Sequence, residues 1–306
     1  MTRSPRWLPV IGHALVLSLT LIGLYQAAWF VRNPWENDAY GFWTMWEGGL
    51  YDIPWLEHGA FVYSPAVAQA ITPLTWLPWE TFYAIWNALQ LAALILMVGP
   101  VWAAAMLWLV IWPSLPDKGN FVLSALWNGN PMILIAFSVV AAYRWPWFWA
   151  LPILLKVTPG IGLLWYAVRR EWRNLAIAVG GTAVIVLVSF ALRPRLWFSW
   201  FDLLLDSLGA NMVAREPFLP IPMIIRLPLA ALLIAWGART NRYWTVPIGV
   251  MLSLPGIGLS GFAVGIGALS FTRLPFIPRY WQRPSPEAET PVPVRAGEKV
   301  GSPETA

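Results

Sequence analysis

Asn174–Leu192, NLAIAVGGTAVIVLVSFAL, holds no charged residue and is bounded by Arg169, Arg170 and Arg173 before it and by Arg193 and Arg195 after it. At 1.5 Å per residue these roughly 19 residues make a helix of about 28 Å, close to the ~30 Å hydrocarbon thickness of a bilayer. Apolar runs of this kind recur along most of the chain. Its 306 residues are 58% hydrophobic and 11% charged, with a mean hydropathy of +0.58. That composition excludes a soluble globular domain and points to an all-α, polytopic integral membrane protein of about 8 to 10 spanning or half-spanning helices. The net charge of +5 and pI of about 9.7 do not indicate nucleic acid, because the basic residues sit in short clusters beside spans, where they orient the chain in the bilayer. There is no Cys, hence no disulfide framework, thiolate metal site or Cys nucleophile.

Charge placement gives an expected topology. Pro9–Val31 follows Arg3 and Arg6 without a small-residue cleavage site, so it reads as an uncleaved first span with a cytoplasmic N-terminus. From Asn33 to Trp79 there are five carboxylates, Glu36, Asp38, Glu47, Asp52 and Glu57, and no Lys or Arg, as in a non-cytoplasmic loop. We take 32–80 as that loop, with a short interfacial helix over Pro65–Ile71 begun by Pro65. Thr81–Val98 returns inward, Gly99-Pro100 turns, Val101–Pro113 goes out, and Pro131–Tyr143 comes back to Arg144. Trp145–Val168 has basic residues at both ends, and one crossing cannot satisfy that. Two short helices broken near Lys156 can, because half-helices are tolerated where they pack in protein or line a wet cavity. Arg193–Pro220 reads as a second external loop, and Ile221–Gly237 as a span returning to Arg239 and Arg242. Trp244–Phe271 is interrupted by Pro255-Gly256 and reads as one long helix or, given Arg273, Arg279 and Arg283, as a second hairpin. Residues 1–283 would form the membrane domain and 284–306, rich in Pro, Glu and Ser, a disordered cytoplasmic tail. Apart from Lys156, ionisable groups cluster in loops, and no internal repeat stands out.

Several chemistries are absent. There is no Walker A loop, H-E-x-x-H, G-x-S-x-G elbow or D-x-D pair, and His13 and His58 do not suggest a zinc site.

The order of motifs in and after the long loop is distinctive. Asn37-Asp38-Ala39-Tyr40 is followed by Gly48-Gly49-Leu50-Tyr51, Phe61-Val62-Tyr63-Ser64-Pro65-Ala66, Pro73-Leu74, Leu77-Pro78, Leu126-Trp127-Asn128-Gly129-Asn130 and Leu155-Lys156-Val157-Thr158-Pro159. Over about Trp29–Arg173 this resembles glycosyltransferase family 87, whose members are polyprenol-phosphate-mannose-dependent mannosyltransferases and their relatives with a GT-C membrane fold. The second half carries no motif that extends the resemblance.

The resemblance implies a multi-pass cell-membrane hexosyltransferase that moves a sugar, mannose in the family, from a polyprenyl-phosphate donor to a lipid or glycan acceptor with inversion and without metal or other cofactor. It makes Asp38 the general base, taking the proton of the acceptor hydroxyl as that oxygen attacks the anomeric carbon. From position alone Asp38 reads equally as the cap of a helix beginning near Tyr40. Glu36 and Glu47 are second choices as base, or solvated loop charges. A phosphate leaving group needs positive charge. Lys156 stands in apolar sequence, where an ionisable group is a functional candidate by default or a snorkelling side chain. Arg193, Arg195 and Arg215 are alternative phosphate clamps. Tyr51 and Tyr63 are candidates to line the substrate cavity, and Asn128 and Asn130 to bond a hydroxyl or cap a broken helix. Trp35, Trp43, Trp46, Trp55, Trp76 and Trp79 read as an interfacial belt or as faces for sugar stacking. Two other classes stay open: a transporter or flippase built on the broken helices, and a non-catalytic membrane subunit.

Overall fold

The computed structural model describes residues 10–14, 38–54, 57, 59–108, 121–213 and 219–281. Most of the expected first span, the tail from 284 onward, Glu36, Trp35, Trp55, Arg215 and Glu216 lie outside them. The described residues form helices and no strand. In order these are α1 (Asp38–Trp43), α2 (Pro65–Thr75), α3 (Trp79–Val98), α4 (Pro100–Trp108), α5 (Phe121–Trp127), α6 (Met132–Ala142), a 3-10 turn at Pro146–Trp149 running into α7 (Ala150–Leu155), a 3-10 segment at Thr158–Leu163 running into α8 (Leu164–Val168), α9 (Trp172–Leu192), α10 (Pro194–Val213), α11 (Met223–Thr240), α12 (Thr245–Ser253) and 3-10 segments at Leu259–Phe271 and Arg279–Trp281.

Among the described residues, α3, α9 and α11 are long and apolar enough to cross a bilayer. In α9 the outward side chains Val184, Leu187, Val188 and Leu192 are exposed, as lipid-facing residues are in an isolated chain. Two hairpins too short to cross stand beside these spans. One rises through α7, breaks at Lys156, which is extended (φ −150°, ψ 120°), and returns through α8. The other rises through α12, turns at Leu254–Gly258, and returns through Leu259–Phe271, which packs on α12, α5 and α6. The two hairpins pack on one another. Trp244–Phe271 is thus a hairpin, and its returning limb is a 3-10 helix where an α-helix was the natural expectation.

One end of the bundle gathers Tyr143, Arg169 and the α11–α12 turn. Tyr143 Oη donates to the Tyr243 carbonyl at 3.1 Å, and Arg169 donates to the Ala238 carbonyl at 3.0 Å and pairs with Glu171 at 2.7 Å. The other end carries the long loop, whose Ser64 N–H donates to the Leu154 carbonyl at the tip of the first hairpin at 3.2 Å. The sharp α3–α4 turn needs Gly99: its φ is +82°, and a Cβ there would meet the Phe276 carbonyl oxygen at 2.6 Å.

Several expectations are corrected. The interfacial helix runs past Ile71 to Thr75 and contains Pro73. The inward segment at Pro131–Tyr143 is an eleven-residue helix, about 16 Å long, preceded by α5 and a break at 128–130. Arg193–Pro220 is not a loop, since most of it is α10. Charges at Arg195, Asp202 and Asp206 hid its periodicity, yet Trp197, Trp200 and Ser207 face the protein while Phe198, Phe201, Leu205 and Leu208 form an exposed apolar stripe. Nor do ionisable groups keep to loops: Arg226, on α11, is 1% exposed.

Candidate active site

The site is built on the turn Asn128-Gly129-Asn130 between α5 and α6. Gly129 has φ +62°, which favours glycine, and the turn points three successive carbonyls at three donors. Tyr83 Oη donates to Trp127 O at 2.9 Å, the Ala39 N–H to Asn128 O at 2.9 Å, and Trp86 Nε1 to Gly129 O at 2.6 Å. The turn is thereby fastened both to α3 and to the first turn of α1, and Asn130 faces Asp38. Asn130 Nδ2 donates to Asp38 Oδ2 at 2.7 Å, while its Oδ1 is buried with no hydrogen-bond partner. Asp38 is exposed and lies in the first turn of α1, where a carboxylate also suits the helix dipole.

Behind α1 lies an aromatic block. Phe42 stacks on Tyr63 with ring centroids 4.6 Å apart and lies 4.8 Å from Trp86, which stacks on Phe82 at 5.9 Å. Pairs of this kind each contribute about 0.5–1.5 kcal/mol beyond the area they bury, so the loop is held rigidly on α3. Tyr63 is buried, and burial together with the nearby Asp38 charge pushes its hydroxyl pKa well above the ordinary phenol range. The Tyr51 hydroxyl donates to the Tyr63 carbonyl at 2.8 Å, and its burial raises its pKa as well.

Lys156 reaches the same tyrosine from the hairpin tip. The Ser64–Leu154 backbone bond joins the loop to α7, and two residues on the Lys156 Nζ lies 5.8 Å from the Tyr63 ring centroid, within cation–π range. The helix that begins at Asp38 and the hairpin tip that carries Lys156, 118 residues apart in sequence, thus meet at Tyr63, the one through Phe42 and the other through its ammonium.

Other candidates fall differently. Asn128 uses its amide on Ser124 Oγ at 3.3 Å and its carbonyl on α1, so it shapes the turn. Tyr63 is buried and Tyr51 is a strut bonded to its carbonyl. Arg193 lies elsewhere, its guanidinium 5.6 Å from the Trp46 ring centroid, and Arg195 is exposed on α10. Trp79 belongs to the core at 7% exposed and not to a belt. Arg226 had no signal beyond being a charge in an apolar run. It donates to the carbonyls of Ile221 (2.7 Å), Leu252 (2.9 Å), Leu254 (2.8 Å) and Pro255 (3.1 Å), and so holds the tip of the second hairpin.

The model of glycosyltransferase family 87 matches residues 61–274. The match takes in Tyr63, the Asn128-Gly129-Asn130 turn, Lys156 and Arg226, and it extends through the second half of the chain, where no motif had shown a likeness. It begins after α1, so Asp38 lies N-terminal to it. No curated protein and no solved structure matches.

Proposed function

The chain belongs to glycosyltransferase family 87, and on that premise we propose that it transfers a sugar, mannose, from a polyprenyl-phosphate donor to an acceptor hydroxyl on the non-cytoplasmic face of the cell membrane, within a GT-C-type bundle. The observation that carries the reading is that the helix beginning at Asp38, whose carboxylate Asn130 holds, and the hairpin tip bearing Lys156 both pack against Tyr63.

In this mechanism the acceptor oxygen attacks the anomeric carbon from the side opposite the phosphate. Its proton passes to the Asp38 carboxylate, the bond from carbon to phosphate oxygen breaks, and polyprenyl phosphate leaves carrying the bonding pair. The new glycosidic bond has inverted configuration. The Asn130 amide fixes the carboxylate by its bond to Oδ2. Lys156 supplies positive charge to the leaving phosphate, where a preorganised cation in an apolar setting is most effective. Tyr63 stays protonated throughout, because burial and the adjacent carboxylate both oppose its ionisation. A lipid-linked donor suits a site on the loop side, where nucleotide sugars have no ready supply.

The test is incubation of the purified protein in nanodiscs with radiolabelled polyprenyl-phosphate mannose and a mixed lipid and glycan acceptor fraction. Labelled product that disappears in Asp38→Asn supports the reading. Movement of intact donor across proteoliposomes would replace it with a flippase, and neither outcome would leave a non-catalytic subunit.

A further inference from the structure

A concavity opens beside α1 on the loop side, without Asp38 or Lys156 in its lining. It is an open cleft of about 680 Å3 whose lining includes Trp43, Trp46, Glu47, Gln69, Trp76 and Arg193. Its volume lies within the roughly 300–1,000 Å3 typical of small-ligand sites.

Its indoles are not arranged as a membrane belt. A belt tryptophan keeps its N–H toward the wet headgroups, but Trp43 Nε1 donates inward to the Leu77 carbonyl at 2.9 Å and Trp46 Nε1 to Thr72 Oγ1 at 3.0 Å. Thr72 passes that bond on to the Ala68 carbonyl at 2.7 Å, so the Trp46 ring is fixed on α2. The hydrogen-bonding edges of these two indoles are committed to the protein, and Trp43 also packs against Tyr40 and Trp79, so both are fixed parts of the wall. Trp76 stands at the rim, 79% exposed.

Charge narrows the ligand. Glu47 and Arg193 line the same cleft yet form no ion pair with each other. Arg193 is parked over the Trp46 face at 5.6 Å, which occupies its own face and leaves its in-plane N–H donors. Together they offer one acceptor-only and one donor-only group with no net charge. A phosphate dianion would meet repulsion from Glu47. A sugar hydroxyl, which donates and accepts at once, satisfies both.

We propose that this cleft is a subsite for an uncharged oligosaccharide, stacked on the exposed Trp76 indole and bonded through its hydroxyls to Glu47 and Arg193. The proposal rests on the transferase reading, in which the bound chain is the body of a glycan acceptor whose terminal hydroxyl extends to Asp38. The Gln69 amide, bonded to the Ser189 carbonyl at 3.2 Å, ties α2 to the end of α9 and keeps the two walls of the cleft together.

The experiment uses the full-length chain in nanodiscs, both as wild type and as Asp38→Asn, titrated with linear trisaccharides of mannose, glucose and galactose and, separately, with inorganic phosphate. Binding is read by tryptophan fluorescence and by saturation-transfer difference NMR. At least one trisaccharide binds both proteins equally, Glu47→Gln and Trp76→Ala weaken it about tenfold or more, and Trp172→Ala, an exposed tryptophan on α9, changes nothing. Phosphate does not compete. Absence of trisaccharide binding, binding indifferent to Glu47→Gln and Trp76→Ala, or competition by phosphate overturns the subsite. If trisaccharide binds as described and the wild type transfers no sugar, the transferase reading fails and the subsite stands. If transfer occurs without such binding, the subsite fails alone.

Discussion

Asn130 donates its side-chain amide to the Asp38 carboxylate, Nδ2 to Oδ2 at 2.7 Å, across 92 residues of sequence. The bond exists because Gly129 takes a positive φ and three consecutive carbonyls of its turn are held by Tyr83, Ala39 and Trp86. Asn130 therefore reads as a positioning residue for the carboxylate, and its buried Oδ1 marks where a hydroxyl or water would find an acceptor.

Asp38→Asn keeps the shape and the α1 start but cannot take a proton, so transfer falls by about 10²–10⁴-fold while the protein still folds. Asn130→Ala removes one bond to a charged group, about 1.5–3 kcal/mol, and lowers kcat by roughly ten- to a hundredfold with a smaller effect on KM. Initial rates over a range of donor concentrations separate the two. Turnover retained in Asp38→Asn removes Asp38 from the mechanism.

Lys156→Ala raises the apparent donor KM and lowers the rate together, because the phosphate is bound in the ground state and gains charge as it leaves. Lys156→Arg recovers part of the loss, and Lys156→Met, which keeps the stem, does not. A Lys that merely snorkels would give wild-type kinetics in all three.

The spans were readable because α3, α9 and α11 are predominantly apolar over eighteen residues or more, the length that bilayer thickness requires. The break at Lys156 was readable for the same reason, since basic residues at both ends of one segment forbid a single crossing. α10 was hidden because a helix that faces protein, lipid and water carries charges that mimic a loop. Arg226 was hidden because its partners are backbone carbonyls, which leave no trace in side-chain identity. The Asn130–Asp38 bond was illegible from spacing, because it depends on where a glycine turn between two helices lands.

Burial holds the Tyr63 hydroxyl above the ordinary phenol value of 10.0, and the Asp38 charge adds to this. Above that value the unfolded chain releases the Tyr63 proton and the folded chain keeps it, so stability is full below pH 10 and falls as pH rises, by about 1.4 kcal/mol per unit for this group. Tyr63→Phe removes that contribution and flattens the alkaline decline. Melting temperatures in detergent between pH 9 and 11 check it; an unchanged slope would mean that Tyr63 ionises as readily folded as unfolded.

Arg226→Met leaves the carbonyls of Leu252, Leu254 and Pro255 without their donor at the tip of the second hairpin. Hydrogen bonds to a charged group contribute about 1.5–3 kcal/mol each to a buried network, less than additively, so the melting temperature drops by several degrees. Arg226→Lys does not restore it, since a single ammonium cannot span donors set by a planar fork. Thermal unfolding followed by tryptophan emission gives the comparison.

The three faces of α10 predict that it lies along the loop-side surface of the bilayer, with its apolar stripe in lipid and its polar stripe in water. On a 100° helical wheel Phe198, Phe201, Leu205 and Leu208 cluster on one exposed side and Arg195, Ser199, Asp202 and Asp206 on another, while Trp197 and Trp200 face the protein. The chain has no Cys, so single introduced cysteines report cleanly. Ser199→Cys and Asp206→Cys react with a membrane-impermeant maleimide added from the side that also labels Glu57→Cys in the long loop. Leu205→Cys is protected from it and is reached by a lipid-soluble maleimide, whereas Arg242→Cys reacts only from the opposite side. Equal labelling of Leu205→Cys and Ser199→Cys would show α10 standing free in water, and labelling of Ser199→Cys from the Arg242 side would reverse the orientation on which the proposed outward-facing transfer depends.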